Sequence, residues 1–197
     1  MTVMKSSATT AAEPGMSLEE WAALPEDTDG ELVDGQLVEE EMPDWIHEEL
    51  IAWLIHVLLP WVDERGGRIG GSGARIAIAE RRGRRPDVVV FLRNKPPARG
   101  LIRAVPDIVV EVVSSTPADQ RRDRVEKLAE YARRGVAQYW MVDPALRTFE
   151  VLLLGESGRY EHALAETGGS HAVPGCPGLR IDLDAMWRRV DELEEEP

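Results

Sequence analysis

Two apolar runs headed by Pro-Asp constrain the fold of this chain more than any other feature of its sequence. One is RRPDVVVFL at positions 84 to 92, and the other is VPDIVVEVVSS at positions 105 to 115. Short runs of valine and isoleucine bounded by turn residues are typical of strands buried in a sheet. The sequence therefore predicts two buried strands, each entered through an aspartate.

The second run contains an acid, Glu111, among its valines. Because side chains alternate along a strand, Asp107, Val109, Glu111 and Val113 share one face. An unpaired buried carboxylate costs several kcal/mol or becomes neutral through a raised pKa. A Mg²⁺ ion held by Glu111, by Asp87 of the neighbouring strand, by a backbone carbonyl and by water would offset that cost. A partly solvated strand end or an arginine partner would also offset it, and the residues alone leave these alternatives open.

Asp107 is the other aspartate that follows a proline. An extended strand places it about 13 Å from Glu111, which is too far for both to bind one small ion. Asp87 is therefore the better candidate ligand, and Asp107 is expected to cap the turn that enters its strand.

Charge is distributed unevenly along the chain. The net charge is −13, yet residues 65–103 hold eleven Lys or Arg against two acids, a local balance of +9 that leaves −22 for the remainder. Binding to a polyanion needs local positive potential. The segment predicts a basic rim beside an acidic site, with a solvated arginine-rich loop as the alternative.

Local signals predict the elements of the N-terminal half. Ser17 and Glu20 have the spacing of a capping box, so a short helix is expected from Ser17 towards Leu24. The run ELVDGQLVEE alternates around Asp34-Gly35 and predicts a hairpin with a two-residue turn. Further on, GGRIGGSGARIAIAE predicts one strand, followed by an arginine loop over 81–85.

A long helix is predicted over 44–64, where apolar residues recur at helical spacing around most of the circumference. Such a helix must be buried on two sides. One side is expected to meet the sheet. Its three tryptophans suit an interface, so the other side is expected to contact a second copy of the chain in a homodimer.

The C-terminal half predicts a helix from about Ala118 to Arg134, a strand AQYWMVD, a hairpin of TFEVLLL and RYEHALA, and a final helix LDAMWRRVDELEEE. This order of elements indicates an α/β fold with a mixed sheet (α+β) and not a regular βαβ alternation. The length fits a single domain at 17–190, with a disordered tail at 1–16 and a frayed acidic terminus at 191–197.

Composition excludes several classes of protein. No apolar run is long enough to cross a bilayer and no secretory signal is evident, so a cytoplasmic protein without membrane contact is expected. The single cysteine, Cys176, has no partner for a disulfide or a zinc site.

Several phrases stand in the order found in one known family. RPDVVVF, PDIVVEVVSS and DRVEKLAEYARRGVAQYWMVDP, preceded by GELVDGQLVEE and a helix with a histidine, resemble the bacterial "putative restriction endonuclease" (Uma) family of the PD-(D/E)XK nuclease superfamily. The resemblance covers about Leu18 to Arg189. It implies a restriction-endonuclease-like core in which Mg²⁺ (or Mn²⁺) is held by the Asp of Pro-Asp and by the acid of the following strand.

Carried over to this chain, the resemblance makes Asp87 and Glu111 metal ligands, and the carbonyl of Val112 completes the protein's share. Glu31 matches an acid that the superfamily often supplies near its first helix, for a second-metal or water-mediated contact. His47 matches the histidine of the family's long helix and would face the site or orient an acid. A helix histidine with an ordinary structural partner is the more common case.

The chain departs from the superfamily pattern at one position. A lysine should stand two residues after the acid, where this sequence has Val113. The Uma family carries a lysine on the next helix instead, and that lysine matches Lys127.

Helical geometry gives Lys127 two alternatives. The apolar stripe that contains Val125 and Leu128 lies about 150° away from it, which indicates a solvated lysine. Asp123, Lys127 and Tyr131 nevertheless share one face at four-residue spacing, so Lys127 stays a candidate.

These residues together predict a metal-dependent endonuclease that hydrolyses DNA phosphodiesters. Asp87 and Glu111 would hold the metal, and Lys127 would supply positive charge. Four arginines would follow the DNA backbone without reading its sequence: Arg81, Arg82, Arg84 and Arg85. The alternative is a catalytically inactive homodimer of the same fold that acts as an interaction protein, which the missing motif lysine and the acidic net charge favour.

Overall fold

A six-stranded mixed sheet forms the centre of the protein. The computed structural model describes residues 15–25, 28–39, 44–114, 116 and 120–194. The strand order is β10-β9-β8-β7-β6-β3, and the strands are β3 Arg68–Gly71, β6 Val88–Phe91, β7 Ile108–Val112, β8 Gln138–Asp143, β9 Thr148–Leu154 and β10 Tyr160–Glu166. The two Pro-Asp runs are β6 and β7, which lie side by side at the middle of the sheet. The predicted mixed α/β (α+β) fold is thereby confirmed.

Strand directions explain where the helices lie. β7 and β8 are parallel, whereas the other neighbouring pairs are antiparallel. A parallel pair needs a crossover connection, which here is a helix. The crossover consists of a π-helical segment, Arg122–Lys127, that continues directly into α3, Leu128–Arg134, and ends at Gly135 with a φ of 82°. It corresponds to the helix predicted at 118–134, whose first residues, 118 and 119, lie outside the described residues.

The N-terminal elements follow their local signals. Helix α1, Leu18–Ala22, begins with the predicted capping box, in which the Ser17 amide donates to Glu20 at 2.7 Å and the Glu20 amide donates to the Ser17 hydroxyl at 3.2 Å. Strands β1 (Glu31–Val33) and β2 (Gln36–Val38) form the predicted hairpin. Its turn residues Asp34 and Gly35 have φ values of 52° and 81°, as a type I′ turn requires.

The predicted arginine loop is a strand, which corrects the expectation for residues 81–85. GGRIGGSGARIAIAE and the arginines after it form three strands, β3 in the central sheet, β4 (Ile76–Ala79) and β5 (Arg82–Arg84). β4 and β5 join the N-terminal hairpin in a second sheet of order β2-β1-β5-β4. A turn at Glu80 and Arg81 makes the chain reverse there, so the arginines pair with β1 instead of forming a solvated loop.

The long helix α2, Trp45–Asp63, is buried on two sides within one chain. Asp44 caps it by accepting a hydrogen bond from the His47 amide at 2.8 Å. One side packs on the central sheet, and the other packs on the C-terminal helix α4, Leu183–Glu194. The second side therefore does not need another copy of the chain. Trp45 stays 69% exposed, and the homodimer stays a prediction.

The two faces of the central sheet differ in chemistry. The face towards α2 and α4 is apolar, with Val88, Val110 and Val142 among its residues. The opposite face carries an apolar cluster around Val109 and Tyr139, covered by the crossover helix. Glu111 belongs to this second face, in agreement with the alternation predicted along β7, so the covering helix lies directly above an acid.

The remaining elements lie near the C-terminus. Strands β11 (Ser170–Ala172) and β12 (Arg180–Asp182) form a small antiparallel ribbon that the sequence did not indicate. Helix α4, predicted from LDAMWRRVDELEEE, runs to Glu194. Residues 1–14 of the predicted tail and the end of the terminus at 195–197 lie outside the described residues. None of the helices described in the structure is long and apolar enough to cross a membrane.

Gly83 leaves space for the ring of Trp21 to pack on the second sheet. A Cβ built on Gly83 would overlap the buried indole ring of Trp21. Gly83→Ala is therefore expected to lower the free energy of unfolding by about 1–3 kcal/mol, the usual cost of overpacking. Gly73→Ala is the matched control, because a Cβ there meets nothing within 4 Å. Urea unfolding of both variants checks this, and equal midpoints would contradict the packing described.

Candidate active site

Asp87 and Glu111 face each other across the two central strands. Val88 pairs with Val110 in the antiparallel register of β6 and β7, so the next opposed pair is Asp87 and Glu111. Opposed residues of an antiparallel pair project to the same face, with Cβ atoms about 4.5–5.5 Å apart. The amide of Val112 donates to Asp87 Oδ2 at 2.7 Å, which ties the residue after Glu111 to the first aspartate. The two acids predicted as ligands therefore lie together.

Glu111 is buried, and each of its oxygens has a different partner. The Tyr131 hydroxyl donates to Oε1 at 2.8 Å, and the Lys127 ammonium donates to Oε2 at 3.1 Å. Burial raises the pKa of Glu111 well above its usual range; Lys127 opposes this rise, whereas Asp87 and Asp123 add to it. Without more positive charge nearby, the carboxylate is thus disfavoured in its ionised form.

Lys127 is also buried and lies at the centre of a ring of acids. Its Nζ atom is 3.0 Å from Asp123 Oδ1, 3.1 Å from Glu111 Oε2 and 3.7 Å from Glu31 Oε1. Lys127 is the last residue of the π-helical segment, and such irregular turns are frequent at functional sites. The structure brings Lys127 to Glu111 from a different element, although Val113 occupies the motif position.

The solvated alternative for Lys127 does not hold, because the face that it shares with Asp123 and Tyr131 is the buried one. Val125 is 58% exposed, whereas Asp123, Lys127 and Tyr131 are buried. The physical reason is the acid on the sheet below: burying Glu111 costs less when a cation and a hydroxyl are buried with it. The polar face of the helix therefore turns inward.

Glu31 approaches the same site from strand β1. Its Oε1 atom accepts a hydrogen bond from the amide of Arg85 at 2.9 Å, and its Oε2 atom is bound by Arg84. Burial alone would raise the pKa of Glu31, but the charges of Lys127 and Arg84 outweigh it and lower the pKa. Glu31 is thus held ionised beside Lys127.

The prediction that Arg84 follows a DNA backbone has to be corrected. Arg84 is fully buried, with Nε 2.7 Å from Glu130 Oε2 and with Glu31 on its other side. Strand β5 directs this side chain towards Glu31 of β1 and Glu130 of α3, where solvent and a nucleic acid cannot reach it. Arg82, whose side chain is 21% exposed, pairs with Glu130 and with Asp34, so it too is engaged within the chain.

Arg81 and Arg85 remain the other two candidates for DNA contact. Arg81 is exposed. Arg85 is partly buried, where its Nη1 atom lies 3.2 Å from Asp29 Oδ1 and its Nε atom donates to the Ser72 carbonyl at 3.3 Å. Their predicted role stays a prediction.

His47 contacts the site from the first turn of α2. Its Nε2 atom lies 3.2 Å from Asp87 Oδ2, the same oxygen that accepts the Val112 amide. Burial would lower the pKa of His47, but the hydrogen bond and charge of Asp87 outweigh it and raise the pKa. The arrangement suits orientation of the Asp87 carboxylate.

Asp107 lies apart from this group. Its carboxylate accepts hydrogen bonds from the amides of Leu92 at 2.7 Å and Arg93 at 3.1 Å, and it also binds the Arg93 side chain. It therefore caps the end of β6 and does not share the site with Glu111.

The site could hold a hard divalent cation only through the ligands predicted from the sequence, which are Asp87, Glu111 and the carbonyl of Val112. Among the residues that the structure describes, no group of three or more His, Cys, Asp or Glu side chains is arranged to hold a metal. Two carboxylates, Asp87 and Glu111, with the carbonyl of Val112 and water remain a suitable set for Mg²⁺, which usually keeps several waters.

The sequence of this chain matches a known protein family over most of its length. A family model matches residues 17–185, and its description is "Uma2: Putative restriction endonuclease". This covers far more than half of the chain and confirms the resemblance noted from the sequence. The chain belongs to the Uma2 family.

A solved structure has the same fold as this Uma2 chain. It is described as "a putative nuclease belonging to DUF820 from Anabaena variabilis ATCC 29413", and it matches with a TM-score of 0.70 at 20% identity. The match covers 88% of the Uma2 chain and 98% of the other chain. At this identity the likeness shows the fold alone. No curated protein matches the chain.

Sequence reasoning missed how far the ionic network of the Uma2 chain extends. Asp123 contacts Lys127, and Tyr131 donates a hydrogen bond to Glu111. Glu130 binds both Arg84 and Arg82. The four-residue spacing of Asp123, Lys127 and Tyr131 was the available signal. Nothing in the sequence pairs Arg84 with Glu130, since 46 residues separate them.

Loss of the buried ion pairs of Arg84 should lower the free energy of unfolding more than loss of an exposed ion pair. Arg84→Met deprives two buried carboxylates of their main partner and is expected to lower the free energy of unfolding by about 3–5 kcal/mol. Arg103→Met breaks only the exposed pair with Glu19 and should cost less than about 1 kcal/mol. Urea unfolding of the two variants measures the difference, and similar losses would contradict the buried network.

The contact between His47 and Asp87 predicts an NMR titration. The pKa of His47 should lie above 6.5, and Asp87→Asn should lower it, because the variant removes the negative charge at Oδ2. Since the folded-state pKa is the higher one, protonated His47 contributes stability below the unfolded pKa, and this contribution is lost as pH rises through the folded pKa. Asp63→Asn, at the exposed end of α2, is the control. An unchanged His47 titration in Asp87→Asn would contradict the contact.

Proposed function

We propose that this Uma2 chain is a metal-dependent endonuclease that hydrolyses phosphodiester bonds in DNA. The observation that carries the proposal is the position of Lys127, whose ammonium lies 3.1 Å from Glu111 Oε2. Val113 shares the strand face of Glu111, so a lysine there would project into the same space. The crossover helix supplies the charge that β7 lacks.

Asp87, Glu111 and the Val112 carbonyl are the groups that would hold Mg²⁺. Bound there, the ion would supply Lewis acidity towards a phosphate oxygen and a lowered pKa for a bound water. The amide of Val112 and the ring of His47 keep the Asp87 carboxylate in one orientation. This preorganisation supports a role in catalysis, because ligands that need no rearrangement stabilise developing charge most effectively.

Lys127 would place positive charge beside the phosphate during attack. Asp123 and Glu31 also contact the ammonium, so it is fixed in position. A cation held in this way stabilises the additional negative charge of the transition state without moving.

DNA is proposed as the substrate because of the family description and the charge distribution. The family model is described as "Putative restriction endonuclease", and residues 65–103 carry a local balance of +9. Of the four arginines predicted to follow the DNA backbone, Arg81 is exposed and able to meet a phosphate.

A plasmid assay tests the proposal. Purified protein with Mg²⁺ or Mn²⁺ is expected to convert supercoiled plasmid to nicked or linear DNA, and chelation of the metal should stop the reaction. Asp87→Asn and Glu111→Gln should each lower the rate by at least about 10²-fold, as losses in such electrostatic sites usually do. Lys127→Met should lower it by a similar factor.

Each control variant makes the same change of charge as a site variant, but at an exposed residue. Asp63→Asn, Glu161→Gln and Arg159→Met alter exposed residues away from the site and should cleave like the wild type. If the wild type fails to cleave DNA, or if the site variants cleave like their controls, the endonuclease proposal is wrong. The inactive interaction protein would then be the better account.

A further inference from the structure

The two oxygens of Glu111 are held in different ways. Oε1 accepts a hydrogen bond from the Tyr131 hydroxyl at 2.8 Å, whereas Oε2 lies 3.1 Å from the Lys127 ammonium. Tyr131 and Glu111 are both buried. The hydroxyl therefore has no competing water, and the hydrogen bond takes up a lone pair of Oε1.

Tyr131 is fixed by the packing of its ring. The ring centroid lies 5.3 Å from that of Tyr139, which lies 5.9 Å from that of Tyr160, so three tyrosine rings form a continuous row. Val109 and Val113 of the sheet complete the cluster around the first ring. The hydroxyl cannot swing away from Glu111 without disturbing this packing.

We propose that Tyr131 sets the ion selectivity of the site by holding Oε1, so that Glu111 offers a single oxygen, Oε2, to a divalent cation. This inference rests on the proposed function, since it assigns a role towards the metal that Asp87 and Glu111 would hold. Tyr131 is a positioning residue in this account, and it contacts the ion only through Glu111.

The chemistry of the two common hard cations makes such a device useful. Mg²⁺ requires near-octahedral geometry with one oxygen from each carboxylate, whereas Ca²⁺ accepts six to eight oxygens and readily binds a carboxylate through both. A glutamate restricted to one oxygen therefore favours Mg²⁺ over Ca²⁺. Release of Oε1 would make the same glutamate a better ligand for Ca²⁺.

Tyr131→Phe tests the inference because it removes the hydroxyl and keeps the ring. Calorimetric titration with Mg²⁺ and, separately, with Ca²⁺ gives two dissociation constants for each protein. The ratio of the Ca²⁺ constant to the Mg²⁺ constant should fall about tenfold in the variant, the lower end of what partners of metal ligands usually contribute. Retained or improved Ca²⁺ binding in Tyr131→Phe would show that the variant is folded.

Tyr160→Phe is the matched control. It removes a hydroxyl from the same row of rings, but that hydroxyl donates to the Val136 carbonyl at 2.8 Å and not to Glu111. Its ratio should equal that of the wild type. A general loosening of the aromatic row would instead change both variants alike, which would overturn the inference.

The outcomes separate this inference from the proposed function. If wild-type protein binds both ions through Asp87 and the ratio is unchanged in Tyr131→Phe, the selectivity role is wrong while the metal site stands. If wild-type protein binds neither ion, or binds them equally well after Asp87→Asn, the proposed function fails and the selectivity role fails with it. Loss of both ions in Tyr131→Phe with an unchanged circular dichroism spectrum would also overturn the selectivity role.

Discussion

The burial of the Glu111 carboxylate among valines is the constraint on which the rest of this structure depends. A carboxylate at that depth is tolerated only if charge and hydrogen bonds are buried with it. The crossover helix supplies both, since the Lys127 ammonium contacts Oε2 of Glu111 and the Tyr131 hydroxyl donates to Oε1. The polar interior is therefore a connected unit and not a set of independent contacts.

That unit extends through the second sheet. Arg84 lies between Glu31 and Glu130, and Glu31 lies beside Lys127, so the N-terminal hairpin, β5 and α3 are joined by buried ion pairs. Such pairs add little net stability when compared with an apolar core, but they are costly to break singly. We infer that they fix one arrangement of the helix over the sheet. In that arrangement the lysine reaches Glu111 from the helix, which reconciles the valine at position 113 with a nuclease-like fold.

The elements with strong local signals were predictable from the sequence. The capping box of Ser17, the Asp34-Gly35 turn and the valine runs of β6 and β7 each depend on residues close in the chain, and the structure confirms them. The closeness of Asp87 and Glu111 was expected from adjacent strands, whereas their direct opposition depends on the antiparallel register of β6 and β7, which no local signal determines. Arg82 and Arg84 were misjudged because their partners, Glu31 and Glu130, are distant in sequence. The orientation of the crossover helix stayed open because a hydrophobic pattern assumes that the surface it covers is apolar, and here that surface carries an acid.

The central claim is that Asp87 and Glu111, with the Val112 carbonyl, hold one divalent cation beneath Lys127. The most direct measurement is anomalous diffraction from crystals soaked in Mn²⁺. The account predicts one strong anomalous peak bound by a carboxylate oxygen of each acid and by the carbonyl of Val112, and the same soak of Glu111→Gln crystals should lose it. Crystals that show no peak between these groups, with both carboxylates still closed by Lys127 and His47, would contradict it.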